Sequence, residues 1–174
     1  ALVDRAMGVL DALHPNYHAD VQMFIKQDPL RAARVQRYVQ LLASLALPKV
    51  LHVSHASGGG VAQHIVELTQ YFEHSMAHLV LAPLEGSSSV VVSLRAGPHG
   101  DKVMYAMPME YPALIELCKA IGVSAVHFHH TYHLDSTLLG LPTDLQVPSL
   151  ITAHDYYWLN ANPTLTEENG RYPG

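Results

Sequence analysis

Val50-Leu51-His52-Val53-Ser54-His55-Ala56-Ser57-Gly58-Gly59-Gly60-Val61-Ala62-Gln63-His64 carries three local signals in succession. Val50 to Ser54 is a short, nearly continuous apolar run, as expected of a strand buried on both faces. Ala56 to Gly60 is a small-residue turn. Val61, Ile65, Leu68 and Phe72 then fall on one face of a helix. A glycine turn between a strand and a helix lets a ligand approach the backbone, and the helix N-terminus adds partial positive charge. The plain alternative is a tight strand-to-helix turn. The spacing is not GxGxxG, and no acidic residue follows the second strand at the ribose position, so a dinucleotide site is not expected.

Working outward, the same alternation continues. His78–Leu81 and Val90–Leu94 read as strands, with Lys102–Ala106 as a hairpin partner. Tyr111–Ile121 reads as a helix ended near Gly122, Ser124–His129 as a strand, Leu134–Leu141 as a helix and Pro148–Ala153 as a strand. Alternating short strands and helices predict an α/β fold with a doubly wound, Rossmann-like parallel sheet over residues 48–174. Residues 1–47 read as a helical lead or linker from a preceding module: Leu2–Leu13, then Tyr17–Ile25, then a helix with Asp28 as N-cap and Pro29 at its first position.

In such sheets ligands sit outside the carboxyl ends of the strands. The polar segments His55–Gly60, His129–His133 and His154–Trp158 fall there. Val126-His127-Phe128-His129-His130-Thr131-Tyr132-His133 holds four histidines, and strand alternation puts His127 and His129 on one face. Imidazole binds zinc readily, yet no cysteine lies nearby and no helical histidine pair at i, i+4 accompanies the strand. The expectation is therefore a polar cleft lining (His129, His130, His133) or structural histidines, with no bound metal. His154-Asp155-Tyr156-Tyr157-Trp158 ends the last strand abruptly. Aromatic faces stack on sugar rings, and His and Asp hydrogen-bond hydroxyls. The alternative there is Asp155 capping the next element over a packed aromatic cluster.

Composition narrows the function classes. The chain has 174 residues, 49% apolar and 14% charged, with thirteen histidines and a single cysteine, Cys118. That suits one packed domain with no disulfide framework, in a reducing, cytoplasmic setting. Residues 48–174 carry a net charge of −6, which leaves no basic stripe for nucleic acid. The absence of an initiator Met fits a segment cut from a longer polypeptide.

Together these segments resemble the N-terminal, acceptor-side domain of family-4 glycosyltransferases, which have a two-domain GT-B fold. The first strand and glycines are similar to that family's "ILHV…GGG", Val126–His130 to "DIVHVHH", and Ile151–Trp158 to "TLHDYW". Leu165–Tyr172 is similar to "L…ENGRYC". The chain departs from the family at Ala62-Gln63, where an acidic-basic pair is common, and at Ala125.

The resemblance implies sugar transfer from a nucleotide sugar to a glycan or lipid-linked acceptor, with retention and no catalytic metal or other cofactor. It implies donor-phosphate contacts at Gly58, Gly59 and Gly60. His154 would sit beside the reacting sugar, with Asp155 orienting its ring or capping the next element. His129, His130, His133, Tyr156 and Trp158 would line the cleft. Nucleotide binding would rest on a C-terminal domain of the same polypeptide, so this chain alone is expected to be inactive. Peripheral membrane association of the full-length enzyme is compatible with the resemblance. The rival readings are a non-catalytic carbohydrate-binding or assembly module, and a metal-dependent hydrolase built on the histidines.

Overall fold

The computed structural model describes residues 2–94, 102–159, 165, 170 and 171. The chain divides into two compact units, residues 1–34 and 35–174. The first contains helices α1 (Leu2–Leu13) and α2 (Tyr17–Gln27). Asp28 is not the N-cap expected of it. It closes α2 in the left-handed region (φ 42°), its N–H bonded to the Phe24 carbonyl at 2.9 Å. Its carboxylate takes Arg34 instead of a backbone cap.

Helix α3 (Arg31–Ala43) starts three residues later and runs into the second unit, where Tyr38 and Leu42 are fully buried. That unit is an α/β structure built on a six-stranded sheet. Its strands are β1 (Lys49–Val53), β2 (Ala77–Pro83), β3 (Ser89–Leu94), β4 (Lys102–Ala106), β5 (Val123–Phe128) and β6 (Ser149–Ile151). Helix α4 (Gly59–Tyr71) joins β1 to β2, α5 (Tyr111–Ile121) joins β4 to β5, and α6 (Leu141–Leu145) precedes β6.

The strand order is β4-β3-β2-β1-β5-β6. β2, β1, β5 and β6 are parallel, whereas β3 and β4 are antiparallel additions at one edge. The sheet is therefore mixed, and not wholly parallel as expected. The reason is local: only Leu84–Ser88 separates β2 from β3, with Gly86 at φ 72°, and so short a link can make only a hairpin. The expected 134–141 helix is a 3-10 turn, Ser136–Gly140, followed by α6, whose first turn takes Pro142.

Register and alternation give the sheet two unlike faces. Leu51 and Val53 of β1, Leu79 and Leu81 of β2, and Val126 and Phe128 of β5 share one face and join the hydrophobic core with Tyr38, Leu42, Leu114 and Leu117. Each such side chain contributes about 1.5–3 kcal/mol when fully buried. The opposite face carries His52 and His127 side by side on β1 and β5, with His78 of β2 set diagonally to them, opposite Val50. An apolar core lies on one side of the sheet and a row of imidazoles on the other.

Candidate functional site

The chain steps outward from β1 to β2, then returns to place β5 on the other side of β1. The loops after β1 and β5 therefore diverge above neighbouring strands, which opens a crevice at their carboxyl ends. The loop after β1 holds the glycines. Gly58 (φ 74°) and Gly59 (φ 70°) adopt backbone that L side chains rarely take, whereas Gly60 does not. Among the described residues no side chain caps the N-terminus of α4, and a Cβ at any of the three glycines would meet nothing within 4 Å. Beside them an open hollow of about 830 Å³ is lined by residues that include His55, Ser57, Glu85 and His133.

Hydrogen bonds link His78, His52, His129 and His154 in turn. His52 bridges three strands, its Nε2 3.0 Å from His78 Nδ1 and its Nδ1 2.9 Å from His129 Nε2. His129 Nδ1 lies 3.4 Å from His154 Nε2. The His127 ring lies tilted against His129, centroids 3.9 Å apart, and its Nε2 meets Thr152 Oγ1 at 2.8 Å. His64, on α4, approaches both His129 and His154, with centroids 5.5 and 5.1 Å away. His52, His78, His127 and His129 are buried, while His64 and His154 are half-buried at the open end.

Burial fixes the charge of this row. Loss of solvent, then the neighbouring His127, His52, His154 and His64, push the pKa of His129 down to about 2. Desolvation first, then His64 and His154, lowers His127 to about 4. His78 and His154 are also lowered, mainly by burial. At neutral pH these rings are uncharged.

A neutral imidazole has one N–H, so the direction of one link dictates the next. His78 Nε2 is buried with no hydrogen bond of normal geometry among the described residues, and the Phe72 carbonyl nearby favours a proton on that ring. With Nε2 protonated, His78 Nδ1 accepts from His52 Nε2. His52 Nδ1 then accepts from His129 Nε2, which leaves a bare lone pair on His129 Nδ1.

The second predicted segment works differently. His130 Nε2 meets Asp155 Oδ2 at 3.3 Å, and its Nδ1 accepts from the Tyr132 N–H at 3.0 Å. Asp155 Oδ1 accepts from the Tyr157 N–H at 2.9 Å and so caps the Tyr156–Trp158 turn. Asp155 thus holds His130 and caps the turn. Tyr157 stacks on His130 at 4.5 Å. Trp158 is half-buried. Its ring packs edge-on against Phe128 and belongs to the core margin. Tyr156 is exposed, and His133 sits at φ 61° on the hollow's rim.

Of the residues expected at the site, His129 and His154 meet, and His130 and Asp155 meet. His52, His64 and His78 were not expected there. Alternation from Val50 puts His52 on the face opposite Leu51, but nothing local announces that β2 and α4 bring His78 and His64 to it. Most of the Leu165–Tyr172 stretch lies outside the described residues. No family model, curated protein or solved structure matches this chain.

Proposed function

We propose that this chain is the acceptor-side half of a GT-B-type glycosyltransferase related to family 4, with a doubly wound, Rossmann-like core. The observation that carries the reading is the crevice above β1 and β5. The glycine loop, His129–His130 and His154–Asp155 all meet at the carboxyl ends of the parallel strands, where α/β sheets bind ligands. In this reading Gly58–Gly60 and the N-terminus of α4 border the donor diphosphate. His154 contacts the transferring sugar through the ring nitrogen not turned toward His129. A nucleotide-binding domain of the same polypeptide supplies the rest, in the cytoplasm. No helix among the described residues is long and apolar enough to cross a membrane.

Glycosyl transfer passes through an oxocarbenium-like centre, so the protein orients two substrates and offsets charge on the leaving diphosphate. The test uses the polypeptide that carries both halves. His154→Ala should lower kcat about 10²–10³-fold, as loss of one preorganised donor does elsewhere, with little change in melting temperature. A large fall in melting temperature with normal activity per folded molecule would remove His154 from the site.

A further inference from the structure

We propose that His64, His129 and His154 form a binding site for one divalent transition-metal ion, zinc by preference, with its fourth position open toward the crevice. This goes beyond the transferase reading and does not depend on it. One ring nitrogen from each of the three lies within 4.8 Å of the others. The geometry of the links separates a hydrogen bond from a metal edge. His78–His52 and His52–His129 are 3.0 and 2.9 Å apart, ordinary N–H···N distances. His129 Nδ1 and His154 Nε2 are 3.4 Å apart, long for that bond. Zinc–nitrogen bonds of 2.0–2.1 Å at tetrahedral angles put two ligand nitrogens ~3.3 Å apart.

The rest of the row behaves as an outer shell. A ligating histidine donates its other N–H to a fixed acceptor, which sets the tautomer and raises its basicity. In the tautomer that starts from a proton on His78 Nε2, His52 Nε2 donates to His78 Nδ1 and His129 Nε2 to His52 Nδ1, which leaves His129 Nδ1 without a proton. A row of buried imidazoles is also an expensive way to fill one face of a sheet, because apolar side chains would pack there without needing partners.

A second triad, His52, His127 and His129, is as compact. It is a poorer site. Both nitrogens of His52 are already hydrogen-bonded, His127 Nε2 is held by Thr152, and all three rings are buried, which leaves no open position.

The test is titration of the chelator-treated 174-residue chain, free of any polyhistidine tag, with Co²⁺ followed by visible d–d absorption, then displacement by Zn²⁺. One equivalent should bind, with a dissociation constant of about 1 µM or below. His64→Gln and His154→Gln should each weaken binding at least ~100-fold, and His78→Phe about 10-fold through the outer shell. His127→Gln should leave binding within about 3-fold. Circular dichroism and melting temperature establish that each variant is folded. His64 and His154 sit on the open side, so their variants are informative even if His129→Gln does not fold. Absence of stoichiometric binding to the wild-type chain would overturn the proposal. So would unchanged binding in both His64→Gln and His154→Gln, or loss only in His127→Gln.

Discussion

Asp155 Oδ2 lies 3.3 Å from His130 Nε2 while Asp155 Oδ1 accepts from the Tyr157 N–H at 2.9 Å. One carboxylate therefore joins the end of β5 to the turn after β6. Asp155→Ala removes the cap, worth about 1 kcal/mol, together with the His130 anchor. The expected result is a loss of about 1–2 kcal/mol in urea unfolding, with Asp155→Asn retaining part of it. Equal stability in Asp155→Ala and wild type would show that the carboxylate anchors nothing.

The glycine loop separates conformational need from open space. Gly58→Ala and Gly59→Ala put a Cβ on positive-φ backbone and should each cost about 1–2 kcal/mol. Gly60→Ala adds a Cβ in open space inside the first turn of α4, and should be neutral or stabilise by up to about 1 kcal/mol. Chemical denaturation of the three variants checks the order. A destabilised Gly60→Ala would contradict it.

Cys118 is fully buried, and burial pushes its thiol pKa up to about 12. The thiolate is the reactive form, so native protein at pH 8 should resist Ellman's reagent and react fully in urea. Fast labelling of the native chain would mean that α5 opens readily.

His78 gives a pH dependence of known sign. Its pKa is lowered chiefly by burial against β1, with His52 at 3.0 Å and the Phe72 carbonyl partly opposing the shift. Below about pH 6.5 the unfolded chain takes up a proton that the folded ring resists, so stability is full above that pH and falls as pH drops through it. The metal-free wild type should lose stability between pH 7 and 5, and His78→Phe should lose less over the same interval. A steeper pH dependence in His78→Phe would contradict the sign.

Residues with a local signal were legible in the sequence. Tyr111–Ile121, bounded by Gly122 in the left-handed region, forms the helix its spacing predicts. The run Val50–Ser54 falls on β1, Lys49–Val53, with Ser54 just past its end. The pairing of His127 with His129 on one face follows from alternation alone. What was missed depends on pairing between distant segments. That His78 sits diagonally beside His52 follows from the β1–β2 register, and that His64 reaches His154 follows from how α4 packs across the sheet. Asp28 misled because Asp-Pro suits a helix start, and here the aspartate ends the preceding helix while holding Arg34.

In the proposed function the crevice above β1 and β5 takes a sugar substrate. Backbone amide spectra of the ¹⁵N-labelled chain, recorded as nucleotide sugars and glycans are raised to about 10 mM, test it most directly, since half a binding site holds its ligand in the millimolar range. Resonances of Gly58–Gly60, His130 and His154–Tyr156 should shift together and saturably with at least one nucleotide sugar. Shifts confined to other parts of the fold, or none with any sugar, would contradict the account.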